Sequence, residues 1–107
     1  MKGQVVAEVS IIPIGTGDSG ISHYIAACLG VLDDREDLTY RLMPMGTAIE
    51  GPLDSVFEVI RKMHEVPFSK GVSRVVTHLK IDDRRDKSST MAGKVESVLK
   101  LRSAIKT

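Results

Sequence analysis

The run VVAEVSIIPI at residues 5–14 is crowded with β-branched side chains, which are stiff in a helix and pack well on a pleated strand. Alternation along such a strand puts Val5, Ala7, Val9 and Ile11 on one side and Val6, Glu8, Ser10 and Ile12 on the other. One face is purely apolar. The other mixes apolar and polar groups, so this strand needs a core on one side and a different kind of cover on the other.

Changes of hydrophobic period divide the rest of the chain. After the loop GTGDSG, residues Ile21, Tyr24, Ile25, Cys28, Val31 and Leu32 recur at helical spacing, with Ser19 or Ser22 as N-cap. LTYRLM and GTAIEG flank Pro44-Met45-Gly46 and predict two short strands around a hairpin corner. A second helix follows, with Gly51 as its cap, Pro52 at its first position and Asp54 at the positive end of its dipole. Its stripe is Leu53, Val56, Phe57, Ile60, Met63 and His64, and Pro67 and Gly71 close it. In SRVVTHLKI, residues 73–81, Val75, Thr77, Leu79 and Ile81 oppose Arg74, Val76, His78 and Lys80. The charged exit DDRRDK leads to a last helix from Ser88 or Ser89, with Met91, Val95, Val98, Leu99 and Ile105 as its main apolar positions.

The order is βαββαβ plus a C-terminal helix, within one domain spanning residues 1–107. Right-handed crossovers place the first two helices on one face of an antiparallel sheet of strand order 4-1-3-2, the ferredoxin-like α+β sandwich. The opposite face carries Val6, Glu8, Ser10, Ile12, Val76, His78 and Lys80. Such a face must be polar, covered by the last helix or buried against another subunit, and its mixture of apolar and polar groups favours burial in an oligomer with small polar pockets, so a homodimer or homotetramer through sheet faces or edges is expected.

Composition excludes several classes of function. Fifteen basic residues against fourteen acidic ones leave a formal charge of +1, without the electrostatic footprint expected for nucleic acid or an anionic membrane. The single cysteine, Cys28, permits no internal disulfide and reads as a small buried hydrophobe. The start MKGQVVAEV lacks the apolar core of a signal peptide, and no run approaches the ~20 apolar residues of a membrane span, so a cytoplasmic location is expected.

The candidate chemistry is sparse. Gly15, Gly17 and Gly20 satisfy the letters GxGxxG, but a dinucleotide site needs a parallel βαβ unit that this element order does not supply. The loop reads as turn chemistry or as an anion contact at a strand end. His23, His64 and His78 fall on three different elements with no metal-ligand spacing, so no metal is expected. No nucleophile and base form a pair, no residue is assigned as catalytic, and nothing calls for a cofactor. Arg84, Arg85 and Lys87 could hold a phosphate, yet neighbouring acids neutralise most of their field. Glu50 just before a helix start interacts favourably with its dipole, worth ~0.3–1 kcal/mol, and Thr47 is an ordinary strand residue. The same pair could instead receive a ligand carrying both donors and acceptors, an aminopyrimidine for example.

Taken together, EVSIIPIGTG, SHYIAACL, YRLMPMGTAIEG, GVSRVVTHLKIDDRRDK and KVESVL resemble the small thiamine-binding family with a ferredoxin-like fold, once catalogued as uncharacterised conserved proteins. The likeness covers roughly residues 4–102. Its specific parts are GTxIEG, here Gly46-Thr47-Ala48-Ile49-Glu50-Gly51, and RxDK, here Arg84-Arg85-Asp86-Lys87. The resemblance implies a non-catalytic module that binds thiamine or its hydroxymethylpyrimidine moiety and assembles into dimers or tetramers, with some members resembling components of thiamine salvage or transport; with no transport segment in this sequence, such a role is expected to be that of a soluble accessory. It carries over Thr47 and Glu50 as motif positions, with Glu8, Ser10, Gly15 and Thr16 lining the neighbouring strand and loop. His78 joins them from strand parity alone. The competing readings are a regulatory module for an amino acid or nucleotide, a purely structural oligomer whose motif glycines shape turns, and an enzyme acting on a thiamine precursor.

Overall fold

The computed structural model describes residues 4–106, so the first three residues and Thr107 of the expected domain lie outside the described residues. The order is β1 (Gln4–Ile14), α1 (Ser22–Asp33), β2 (Thr39–Met43), β3 (Gly46–Pro52), α2 (Leu53–Ser69), β4 (Arg74–Asp82) and α3 (Met91–Lys106). The strands form one antiparallel sheet in the order β2-β3-β1-β4. This is the expected ferredoxin-like topology with its added helix.

The parity read from β1 sets the layers. Val5, Ala7, Val9 and Ile11 are buried with Ile49 of β3 beneath α1 and α2, where Cys28, Leu32, Val56, Val59, Ile60 and Met63 complete the core. Their burial supplies most of the stabilisation, at roughly 25 cal/mol per Å² of apolar surface removed from water. Val6, Glu8, Ser10 and Ile12 point to the face that α1 and α2 leave uncovered.

Several helix ends differ from the sequence expectation. Neither Ser19 nor Ser22 caps α1: Ile21 occupies the N-cap position with no side-chain bond, and the turn closes through backbone bonds to the Ile21 carbonyl. Gly51 and Pro52 finish β3, and Pro52 in extended conformation precedes α2, because pairing with Val5 and Gln4 keeps both residues in the ladder. Phe57 is exposed while Val59 is fully buried, since α2 turns its Val56, Val59, Ile60 and Met63 side toward the sheet. At the start of α3, Thr90 rather than Ser88 or Ser89 is the cap, its hydroxyl accepting from the Gly93 amide at 3.0 Å.

Pro67 lies inside α2 instead of ending it, and the last turn continues to Ser69. Gly71, at φ +92°, ends the helix: its amide donates to the Phe68 carbonyl and the Val72 amide to the Pro67 carbonyl, the two bonds of a Schellman motif. Proline has no N–H to give the carbonyl four residues earlier, here that of Met63. The Cys28 thiol of α1 donates to that carbonyl instead, at 3.4 Å. Burial raises the Cys28 pKa and keeps the thiol protonated for this bond. The cysteine thus repairs a helical bond that a proline removed.

We expect Cys28→Ala to lower stability by about 1–3 kcal/mol through the lost contact and the unpaired carbonyl, measured by urea unfolding. In a Pro67→Ala background the Met63 carbonyl regains its own helical donor, so the same substitution should cost less. Equal costs in both backgrounds would show that the thiol contributes packing alone.

Candidate functional site

The strand lengths create the cleft. β3 pairs with β1 only as far as Thr47 opposite Val9, whereas β4 follows β1 to Ile14. Beyond Val9, one edge of β1 therefore has no strand beside it. The hairpin corner Pro44-Met45 stands at that break, and α1 rests chiefly on α2. Between α1, the hairpin tip and the far half of β1 lies a cleft of about 650 Å³, walled by residues such as Ile11, Ile25, Leu29, Leu42 and Met45. That volume is in the range of small-molecule sites.

Thr47 contributes to the lining of this cleft and is only 4% exposed, the one buried polar residue among the described residues. Ser10 stands at the edge, its hydroxyl donating to the Met45 carbonyl at 3.1 Å, a contact that ties the hairpin tip to β1. Met45 itself is 88% exposed and stands at the mouth. Cys28 and Met63 contribute to the same wall, but the thiol is already engaged by the α2 carbonyl.

GTAIEG is divided between the two faces of β3. Thr47 and Ile49 pair with Val9 and Ala7 on the helix side, whereas Glu50 pairs with Val6 on the other. Residues an odd number apart on a strand point to opposite faces, so Thr47 and Glu50 do not share a pocket. Glu50 accepts from the Met91 amide through Oε2 at 2.8 Å, and Lys94 pairs with Asp82 of β4. These contacts moor the start of α3 over the sheet. The motif glycines serve close approach. A Cβ on Gly46 would stand 2.9 Å from the Val9 carbonyl oxygen, and one on Gly51 would run into Leu38 Cδ2 and stand 2.8 Å from the Asp37 carbonyl oxygen.

The remaining sequence candidates fall elsewhere. Glu8, Ser10 and His78 meet with Leu79 and Lys80 around a shallow hollow of about 390 Å³ on the open face, where Ser10 faces His78 across the ladder and Glu8 lies 3.9 Å from Lys80. Gly15 and Thr16 line neither hollow. The Thr16 hydroxyl bonds within its own turn, donating to the Asp18 carbonyl and accepting from the Asp18 amide. In RRDK, Arg84 forms two bonds to Asp86 and Arg85 pairs with Asp83, which raises both guanidinium pKa values and lowers both carboxylate ones. That loop neutralises itself. His64 bridges α2 to β4, its Nδ1 2.7 Å from Thr77 Oγ1. Among the described residues, no group of histidine, cysteine or acidic side chains could hold a metal, and no helix is long and apolar enough to cross a membrane.

Parity alone separates Thr47 from Glu50, but the cleft and the long reach of Glu50 to Met91 arise from tertiary placement and leave no mark in local sequence. We expect Glu50→Ala to speed hydrogen exchange at the Met91 amide and to cost α3 about 0.5–2 kcal/mol, as loss of a helix cap does. Glu50→Gln, which keeps an acceptor, should retain most of the protection.

Comparison with known proteins places the chain among relatives. It is 47% identical to the UPF0045 protein YqgV of Bacillus subtilis over 98 residues, covering 89% of this chain and 94% of the relative. It is 40% identical over 95 residues to MJ1052 of Methanocaldococcus jannaschii, covering 89% and 92%. The crystal structure of MJ1052 matches with a TM-score of 0.80 at 38% identity, over 89% of this chain and 95% of that one. TM0486 of Thermotoga maritima, whose name proposes a part in thiamine biosynthesis or salvage, shares the fold at TM-score 0.72 and 18% identity, over 89% and 98% of the two chains. Residues 7–99 match the model of the family described as thiamine-binding protein, and the chain belongs to that family.

Proposed function

We propose that the chain is a non-catalytic binding protein for thiamine or its hydroxymethylpyrimidine moiety, and that the cleft beside Thr47 receives the pyrimidine. The observation that carries this reading is a single buried hydroxyl in a wall that is otherwise almost wholly apolar. A flat heteroaromatic ring gains by packing on Ile11, Ile25 and Leu29, while one hydroxyl, both donor and acceptor, fixes the orientation of its ring nitrogen and amino group. The family description and the name given to TM0486 support the choice of guest. Ser10 holds the hairpin tip against the ligand, and Glu50 acts on the other face by mooring α3. Gly15 and Thr16 shape the loop after β1, and Glu8 and His78 belong to the open face.

An amino acid or a nucleotide is the competing class of guest. We expect saturable heat in calorimetric titration with thiamine or hydroxymethylpyrimidine, and none with a free amino acid or a nucleoside phosphate. Thr47→Val keeps the branched shape and removes the hydroxyl, and should weaken binding about tenfold with little change in melting temperature. Silence of the wild-type protein toward both pyrimidines would sink the reading.

The same reading includes self-association. After its mooring, α3 carries Val95, Val98, Leu99, Leu101 and Ile105 at 50–83% exposure, a density of apolar side chains unlike a solvated monomer surface. A second copy of the chain is the partner we assign to it, because a twofold arrangement lets one such patch cover itself. Light scattering should give a dimer or tetramer, and Val98→Glu with Leu99→Glu should shift it to monomer. A monomeric wild type at high concentration would overturn the assignment.

A further inference from the structure

We infer that two copies of the chain join along β4, antiparallel about a twofold axis at His78, so that their two sheets run on as one. This rests on the reading that the chain self-associates, and it names the edge and the register. β4 is an outer strand of the sheet, with β1 on one side only. Its nine residues pair with β1 one for one, without a skipped position, and include neither proline nor glycine. A bare edge of this length is a template for another strand, and neither a bulge nor a proline blunts it.

Pro13 fixes the direction of the free backbone groups. It faces Val75 in the ladder and has no N–H to give, so that pair is of the non-hydrogen-bonded kind. Alternation then turns the N–H and C=O groups of Val75, Thr77, Leu79 and Ile81 away from β1, toward the open edge. With the axis at His78, Val75 meets the partner's Ile81 and Thr77 meets the partner's Leu79, so every one of these outward groups finds a bond. Leu79, an exposed side chain in the single chain, is set against the partner's Thr77.

Charge selects this register among those the backbone allows. Arg74 makes no ion pair among the described residues, and here it comes opposite the partner's Asp82, a match that the symmetry repeats. Asp82 already receives Lys94, but a carboxylate has acceptor sites for two cations. Moving the axis to Thr77 sets Arg74 against the partner's Lys80, and moving it to Leu79 sets His78 against that lysine and leaves Asp82 opposite Val76. Only the axis at His78 overlaps the whole of Arg74–Asp82. His78 and Lys80 also line the hollow on the open face, so the partner's His78 and Val76 add a wall to it. A strand edge removes little apolar surface from water; the α3 patch therefore holds the pair together, and the edge fixes its geometry.

The full chain with His78→Cys tests the register. Residues opposite each other in a non-hydrogen-bonded pair lie ~4.5 Å apart between Cα atoms, within the span of a disulfide. Mild oxidation should link most of this variant into dimers on a non-reducing gel. Thr77→Cys and Leu79→Cys, each roughly 7–8 Å from its own copy, should stay unlinked, as should the wild type, whose Cys28 is buried. Arg74→Glu should weaken dimerisation about tenfold in sedimentation, and Arg74→Lys should not. A dimer by light scattering that His78→Cys fails to link, or that Thr77→Cys or Leu79→Cys links as well, overturns this inference while self-association stands. A monomeric wild type overturns both.

Discussion

β1 carries more length than its neighbour β3 can cover, and the molecule is organised around that mismatch. Along Gln4–Val9 the strand is flanked on both sides or about to be, and its inward side chains form the centre of the core. From Ser10 onward only β4 continues beside it. Pro13 sits in this second half, where a missing N–H on the unpaired edge costs no ladder bond, and the strand can run on without a third partner. The hairpin tip and α1 then close around a gap instead of a strand. The cleft is thus a consequence of strand pairing, and its apolar wall is the same alternating face that supplies the core.

The two helices do different work on that face. α2 lies on β1, β3 and β4 and supplies most of the buried apolar side chains, whereas α1 packs largely on α2. A helix supported by another helix can stand away from the sheet without losing its anchor. The Cys28 bond to the Met63 carbonyl reinforces that support at the point where Pro67 weakens α2. Arg35, bonded to Asp37 and Glu58, adds an exposed tie between the α1 exit and α2, and its proximity holds the Asp37 carboxyl well below the usual carboxylate range.

Much of this was legible in the sequence because it follows from period. The alternation of Val5, Ala7, Val9 and Ile11 fixes the buried side of β1, and the order of strands and helices fixes the sheet once crossovers are right-handed. Local rules misplaced the ends of elements where tertiary contacts compete: Gly51 and Pro52 read as a cap, yet pairing with Val5 and Gln4 holds them in β3. Phe57 read as part of the apolar stripe of α2, but the side of α2 that meets the sheet runs through Val59. The walls of the cleft beyond Thr47 and Ser10 left no mark in local sequence, since they reflect the separation of α1 from the sheet. Of the residues expected at a site, Thr47 and Ser10 come to this cleft, and Glu8, Ser10 and His78 meet at the open hollow.

GTAIEG shows how the residues of one short motif can serve different parts of a fold. Gly46 permits the hairpin to approach the Val9 carbonyl, Ile49 fills the core, and Gly51 lets the chain pass Asp37 and Leu38. Thr47 and Glu50 are the two polar positions, and the pleat sends one inward to the cleft and the other outward to α3. A strand of seven residues therefore meets both surfaces at once. Its placement against β1 sets the depth of Thr47 in the cleft and the position of the carboxylate that receives Met91. Substitution of either glycine would have to move the strand, and with it both polar groups, so backbone geometry binds the two halves of the motif together.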